Sequence, residues 1–348
     1  MKLNKRQEII MEYFKTHESA KSSEVYQYIL SLNMNLVKNT ILRDLALLCR
    51  CNYIVKTGPK VTTIYKVAKH NQILKNYDVE KYFKTHTERK KIKYKEFNFK
   101  VFNNLKELFT NFEENNLECY INNFKKKIKT TQKLLLQKQY ERLVIESCRK
   151  FAKSEGNTYS AIETEILIKE NVRANGHKKS EAVMILNYKK AFDYIFNNKE
   201  CFKKITLKGI IELYSILNKD LERNRRIRKT PITLEGSVFN PLSEKAEIIK
   251  ALNKTIDIVN NTDNPLEKAL IIGIMISYIM PFECGNDILA KMMTNGILYA
   301  NGISPISYKF MNNQYYKNAV IIFCETNSIN YWKELFIRHL KSSISRYF

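Results

Sequence analysis

A mainly α-helical chain that opens with a winged helix-turn-helix is the architecture this sequence predicts, on three observations. Nine glycines and six prolines in 348 residues leave few sheet turns. Apolar residues recur at helical spacing through most of the length. Two β-rich runs around Gly58-Pro59 give a hairpin signal directly after three short helical patterns.

In order, Asn4 is positioned to cap a first helix running to about His17, with Ile9, Ile10, Tyr13 and Phe14 on one stripe. Ser22 or Ser23 caps a second, with Glu24 in its first turn and Val25, Ile29 and Leu30 inward. The third, "VKNTILRDLALLCR", turns Ile41, Leu42, Leu45 and Leu48 to the core and leaves Lys38, Asn39, Thr40 and Arg43 exposed. The runs "YIVKT" and "TTIYKV" complete a winged helix over residues 1–68. In such a fold the third helix enters the major groove and the wing meets the backbone. The string "NTILRDLALL" resembles the recognition helix of bacterial winged-helix regulators. Lys38, Asn39, Thr40 and Arg43 would read base edges, and Lys56 and Lys60 on the wing would hold phosphates. Residues 1–68 carry 11 basic against 5 acidic residues. A winged helix used for protein contacts is the competing reading.

The net charge of +24 points to a polyanionic partner such as DNA. A composition rich in Lys, Asn, Ile and Tyr throughout offers a second source for that charge. Seven cysteines form no C-x-x-C pair, and Cys49-x-Cys51 has no partners at zinc spacing, so no metal centre is expected. The scattered thiols and the polar N-terminus "MKLNKRQEII" fit a cytoplasmic protein without a signal peptide. The run Leu270–Phe282 is too short to cross a bilayer and reads as a buried helix. Residues 69–142 read as a basic linker and helical connector, with Phe124–Lys150 one long amphipathic helix. "RNRRIRK" (Arg223–Lys229) is either a solvated loop or a contact for an anionic partner. Trp332 reads as core, and the five histidines, His70, His86 and His177 among them, fall in polar stretches without ligand spacing.

From about Leu143 the sequence becomes specific. "SEGNTYSAIETEILIKENVRANGHKKSEAVMILNYKKAFDYI", "ITLKGIIELYSILNKDL", "GSVFNPLSEKAEI" and "PLEKALIIGIMISYIMPFECGN" follow one another, and "NGILYANGISPISYKFMNNQYYKNAVIIFCE" comes after them. Their order and spacing resemble the Fic (Fido) family, in particular its bacterial members with an N-terminal winged helix. The resemblance implies an all-helical bundle with a small β-hairpin flap over residues 143–348, and frequent dimerisation. It also implies transfer of AMP from ATP, with Mg²⁺, to protein hydroxyls through a loop H-P-F-x-D-G-N-G-R-x-x-R. In that loop the histidine is the base, the acid holds Mg²⁺, Gly-Asn at a helix N-terminus cradles phosphate and the arginines clamp it.

Here Pro281, Phe282, Gly285 and Asn286 match. Met280 stands at the base position, Cys284 at the acid, Asp287 at the second glycine, Ile288 at the first arginine and Lys291 at the second. A thioether accepts no proton, and Glu283 is one position off. Gly285, Asn286 and Lys291 are what remains of a phosphate site. Glu155-Gly156 resembles the end of the family's inhibitory motif, with Phe151 at its Ser/Thr position, which implies a Glu155–Lys291 pair; in an inert protein Glu155 is instead a helix-end or ion-pair residue. Val238 and Phe239 in the flap would lay a peptide alongside as an added strand. The expectation is a DNA-binding, dimeric regulator whose Fic-like module is a non-catalytic platform for dimerisation or for sensing a peptide or nucleotide. A protein adenylyltransferase with residual or altered activity is the alternative.

Overall fold

The computed structural model describes residues 4–17, 19–32, 34, 36–50, 53–59, 63–67, 72–84 and 92–348. Lys60, Cys51, His70 and His86 lie outside the described residues. Two compact units are present: residues 1–76 with 107–118, and residues 77–106 with 119–348. The stretch 69–142, expected as a separate connector, is thus divided between them.

The first unit starts with helix α1 (Lys5–Thr16), fixed by a reciprocal cap. The Gln7 amide N–H donates to Asn4 Oδ1 at 2.9 Å, and the Asn4 N–H donates to Gln7 Oε1 at 3.1 Å. Strand β1 (Ser19–Lys21), α2 (Ser22–Ser31), α3 (Lys38–Arg50), β2 (Ile54–Thr57) and β3 (Ile64–Val67) follow. The expected hairpin pairs antiparallel with Thr57 opposite Ile64. The short β1, unseen in the sequence, adds to the far edge of β3 with Ala20 opposite Tyr65, giving the order β1-β3-β2. Three residues are too few for period-2 alternation to register. Ile10, Phe14, Val25, Ile29, Ile41, Leu45 and Leu48 form the core. Two details differ from expectation: α2 begins one residue after Lys21 rather than after a serine cap, and Leu42 faces solvent. Asp44 is buried instead and accepts from Gln7 Nε2 at 2.8 Å and from Arg6.

The second unit is helical: α4 (Val79–Lys84), α5 (Asn111–Thr130, its later residues), α6 (Lys133–Ser154), α7 (Ala161–Glu170), α8 (Lys179–Asn197), α9 (Lys199–Lys203), α10 (Leu207–Leu217), α11 (Lys245–Asn261), α12 (Pro265–Ile279), α13 (Asn286–Ala300), α14 (Asn313–Thr326) and α15 (Asn330–Tyr347). The single helix expected over 124–150 is two. Thr130 Oγ1 donates back to the Lys126 and Lys127 carbonyls at 3.2 Å, a local competition that ends α5 before Lys133 starts α6.

Helix α12 is buried from Leu266 to Ile279 except at Lys268 and packs against α11, α13, α14 and α15. Gly273 permits this closeness, because a Cβ there would lie 2.6 Å from Thr294 Oγ1 and 3.1 Å from the Trp332 ring. Trp332 is core, as expected, and His339 is buried too, contrary to the polar setting read for the histidines. Among the described residues no helix is long and apolar enough to cross a membrane. The flap segment is a turn, with the Ser237 N–H donating to the Leu234 carbonyl, followed by a single bridge between Asn240 and Glu96.

The C-terminal helix is tied to α6 through Glu146. Its carboxylate accepts from Lys309 Nζ at 2.7 Å and from the Tyr347 hydroxyl, with Arg346 Nε at 3.5 Å. Burial opposes ionisation, yet the hydrogen bonds from Lys309, Tyr347 and Arg346 bring this carboxyl down to about 2. A depressed carboxyl stabilises the fold above its unfolded pKa and loses that contribution as pH falls through the folded value. Urea unfolding should therefore show stability declining from near pH 4.5 towards pH 2, and Glu146→Gln should lower stability at neutral pH while flattening that decline.

Candidate functional site

The loop between α12 and α13 is held from three sides by groups outside it. Met280, the residue after α12, adopts φ 48° and ψ 64°, a left-handed cap whose N–H still reaches the Ile276 carbonyl at 2.9 Å. Arg228 is fully buried, and its guanidinium donates to the carbonyls of Met280 (2.7 Å), Ile279 (3.4 Å) and Thr230 (3.0 Å). Its backbone N–H donates to the Pro281 carbonyl at 3.0 Å. A cation is well placed at a helix C-terminus, where the last carbonyls lack partners.

Phe282 stacks on Tyr214 with ring centroids 3.6 Å apart, and the Tyr214 hydroxyl donates to the Cys284 carbonyl at 3.0 Å. Asn286 closes the loop on itself: its Oδ1 accepts from the Phe282 N–H at 3.0 Å and its Nδ2 donates to the Phe282 carbonyl at 2.8 Å. Gly285 takes φ 68° as the cap of α13. The four residues that match the family loop thus fix its backbone.

Met280, Asn286, Asp287 and Lys291 line a cleft of about 320 Å³ with Ser154, Ser277, Met311 and Tyr316. Ile288 is buried, whereas Cys284 is exposed on the loop beside Glu283, which accepts from Asn224 Nδ2 at 3.1 Å. Lys291 is 1% exposed; its ammonium donates to Asp287 Oδ2 at 2.9 Å and sits 4.3 Å from the Tyr316 ring centroid and 5.7 Å from that of Phe151. Asp287 lies in the first turn of α13, so its carboxylate stands where helix dipole and lysine both favour an anion.

Glu155 does not pair with Lys291; it is the helix-end, ion-paired residue of the other reading. Arg223 Nη2 donates to Glu155 Oε2 at 2.9 Å. Burial, then Asp287, raises the Glu155 carboxyl, and Arg223 opposes them. Gly156 follows with φ 84° and donates to the Lys153 carbonyl, ending α6. The run "RNRRIRK" is a solvated loop only in part: Arg225, Arg226 and Lys229 are exposed, whereas Arg223 pairs with Glu155 and Arg228 is a buried clamp. The buried Ile227 beside Arg228 marks where the segment dips inward, the one sequence signal that separates them.

The peptide role expected of the flap is not supported by its geometry. Phe239 is 2% exposed and stacks on Tyr278 at 5.1 Å, while Val238 is 50% exposed. The N–H groups of Val238, Phe239 and Asn240 already donate, to Glu325 Oε1, Ser237 Oγ and the Lys95 carbonyl. An added strand would find these donors taken.

Mg²⁺ and ATP, which the family resemblance implies, do not fit these residues. The position of the metal-binding acid offers a thiol, a poor ligand for a hard cation, and the carboxylates of Glu283 and Asp287 are engaged by Asn224 and Lys291. An incoming phosphate would meet the Asp287 carboxylate at the α13 N-terminus.

The helices and loop together define a Fic-type fold. No protein-family model and no curated protein matches the sequence. Among solved structures, the chain is similar to residues 134–508 of Fic-1 from C. elegans, at 18% identity and a TM-score of 0.57, covering 68% of this chain and 71% of that one. It is also similar to a Fic domain containing signaling protein from Bacteroides thetaiotaomicron, at 18% identity and a TM-score of 0.54, covering 65% and 94%. A Fic family protein from Desulfovibrio desulfuricans aligns at 15% identity and a TM-score of 0.53, covering 67% and 73%.

Because the clamp leaves three carbonyls without a donor when removed, Arg228→Met should destabilise the protein by about 3 kcal/mol, roughly 1 kcal/mol per carbonyl. Chemical denaturation checks this, and the same variant should broaden the Met280 methyl resonance.

Proposed function

We propose that this protein is a DNA-binding regulator in which the Fic-fold unit is a non-catalytic sensing and dimerisation module. The observation that carries it is the outward face of α3. Lys38, Asn39 and Arg43 are exposed and Thr40 half-buried, over a helix whose opposite side is locked by Ile41, Leu45 and the Asp44–Arg6–Gln7 cluster. Lys56 projects from β2 in the same unit. Three helices with an antiparallel hairpin support a winged-helix reading, in which such a face reads base edges and the hairpin meets phosphates. Val37 and Leu42, exposed on the same segment, suit thymine methyl groups.

The cleft supports the non-catalytic half of the reading. Met280 puts a thioether where a general base is required, and a base supplies about 10²–10⁴ in rate. Modification of proteins with a nucleotide group is the second reading, favoured by the cleft beside the loop; labelled ATP incubated with lysate tests it, and labelling that survives Met280→Ala would show that another base operates.

Fluorescence anisotropy with a short randomised duplex should show binding that weakens roughly a hundredfold between about 50 and 200 mM salt. Arg43→Ala should weaken binding to a selected site about tenfold or more and relax its sequence preference, whereas Lys56→Ala should weaken all sequences alike. Absence of binding at low salt would refute the regulator.

A further inference from the structure

We infer that the tip formed by the end of α5 and the start of α6 docks on a membrane surface bearing anionic headgroups. Phe124 on α5 and Tyr140 on α6 both rest on the Phe348 ring, with centroids 4.8 and 4.9 Å from it. Between these anchors none of residues 125–139 is buried, so the stretch stands off the core. It holds Lys125, Lys126, Lys127, Lys129, Lys133 and Lys138 and no acidic residue. None of these lysines forms an ion pair among the described residues. Thr130 turns the chain between the helices through its bonds to the Lys126 and Lys127 carbonyls, which brings both groups of lysines to one end.

The same stretch turns aliphatic side chains to solvent. Leu134 is 65% and Leu135 52% exposed, and Ile128 and Leu136 are half-buried. Leucines beside unpaired lysines are what an interfacial segment presents. The ammonium groups meet the headgroups, the aliphatic side chains reach the acyl boundary, and the long lysine stems let the charge stay at headgroup level. Duplex DNA would take the lysines but offers the exposed leucines a backbone of phosphate and sugar. A second copy in a symmetric contact would set its own lysines against these. With none of its residues buried, the tip has no groove to seat a peptide, whereas a bilayer surface conforms to a protruding end.

The test is sedimentation of the full chain with vesicles of phosphatidylcholine alone or with about a third phosphatidylglycerol, at about 0.1 M salt. The chain should sediment with the anionic vesicles and not with phosphatidylcholine. Because the whole chain carries +24, variants separate the tip from general adsorption. Leu134→Ser combined with Leu135→Ser should weaken binding about tenfold or more at unchanged charge. Lys125→Gln, Lys126→Gln and Lys129→Gln together should weaken it about a hundredfold, roughly fivefold per lysine. Lys204→Gln, Lys208→Gln and Lys245→Gln remove the same charge from exposed positions elsewhere in the unit and should weaken it less than about threefold. All the altered side chains are exposed, so thermal midpoints should stay within a few degrees of wild type. No sedimentation with anionic vesicles, equal loss from the two lysine sets, or indifference to the leucine pair overturns the proposal. Duplex DNA binding or self-association that falls with the leucine pair gives the tip to nucleic acid or to a second copy, and either result also overturns it. Arg43→Ala should leave vesicle binding unchanged, so the regulator reading stands or falls separately.

Discussion

A single buried guanidinium organises the loop on which the second unit turns. Arg228 contributes positive charge to the end of α12 without a carboxylate among its hydrogen-bond partners in the described residues; it is neutralised by carbonyl dipoles alone. Burial lowers its pKa, and the three carbonyls offset that cost. The left-handed turn at Met280, the Phe282–Tyr214 stack and the Asn286 ring all follow from a chain that Arg228 has already turned. None of these restraints uses the side chains of Met280, Cys284, Asp287 or Ile288. The shape of the loop and its chemistry are therefore separable, and those positions are free to vary without collapse of the backbone.

The cleft has the electrostatics of a closed account. In a phosphate site a helix N-terminus and a cation stand ready for an external anion. Here Asp287 supplies that anion, and Lys291 is consumed by it and by the rings of Phe151 and Tyr316. Glu155 turns instead to Arg223, leaving Lys291 to Asp287. The redistribution is coherent: Asp287 and Lys291 satisfy each other, and Glu155 is met by Arg223.

The helical segments were legible because their apolar stripes are long. Core residues such as Ile10, Leu45, Ile272 and Trp332 fall where periodicity puts them. Leu42 and Asp44 did not, because a carboxylate can enter a core when Arg6 and Gln7 come from another helix to meet it, which no local pattern records. The break between α5 and α6 falls where the Thr130 side-chain hydroxyl donates to the Lys126 and Lys127 carbonyls, and β1 depends on a partner strand more than forty residues away.

By itself the sequence determined the helical class and the hairpin, because these are properties of residue type and spacing. Only the tertiary structure decided which charges meet. That Arg228 is a clamp while Arg225 is solvated, that Glu155 selects Arg223, and that Phe239 is core rather than a peptide contact are results of long-range packing. Pairing energies between charges depend on distance and burial, and neither is written in a linear chain.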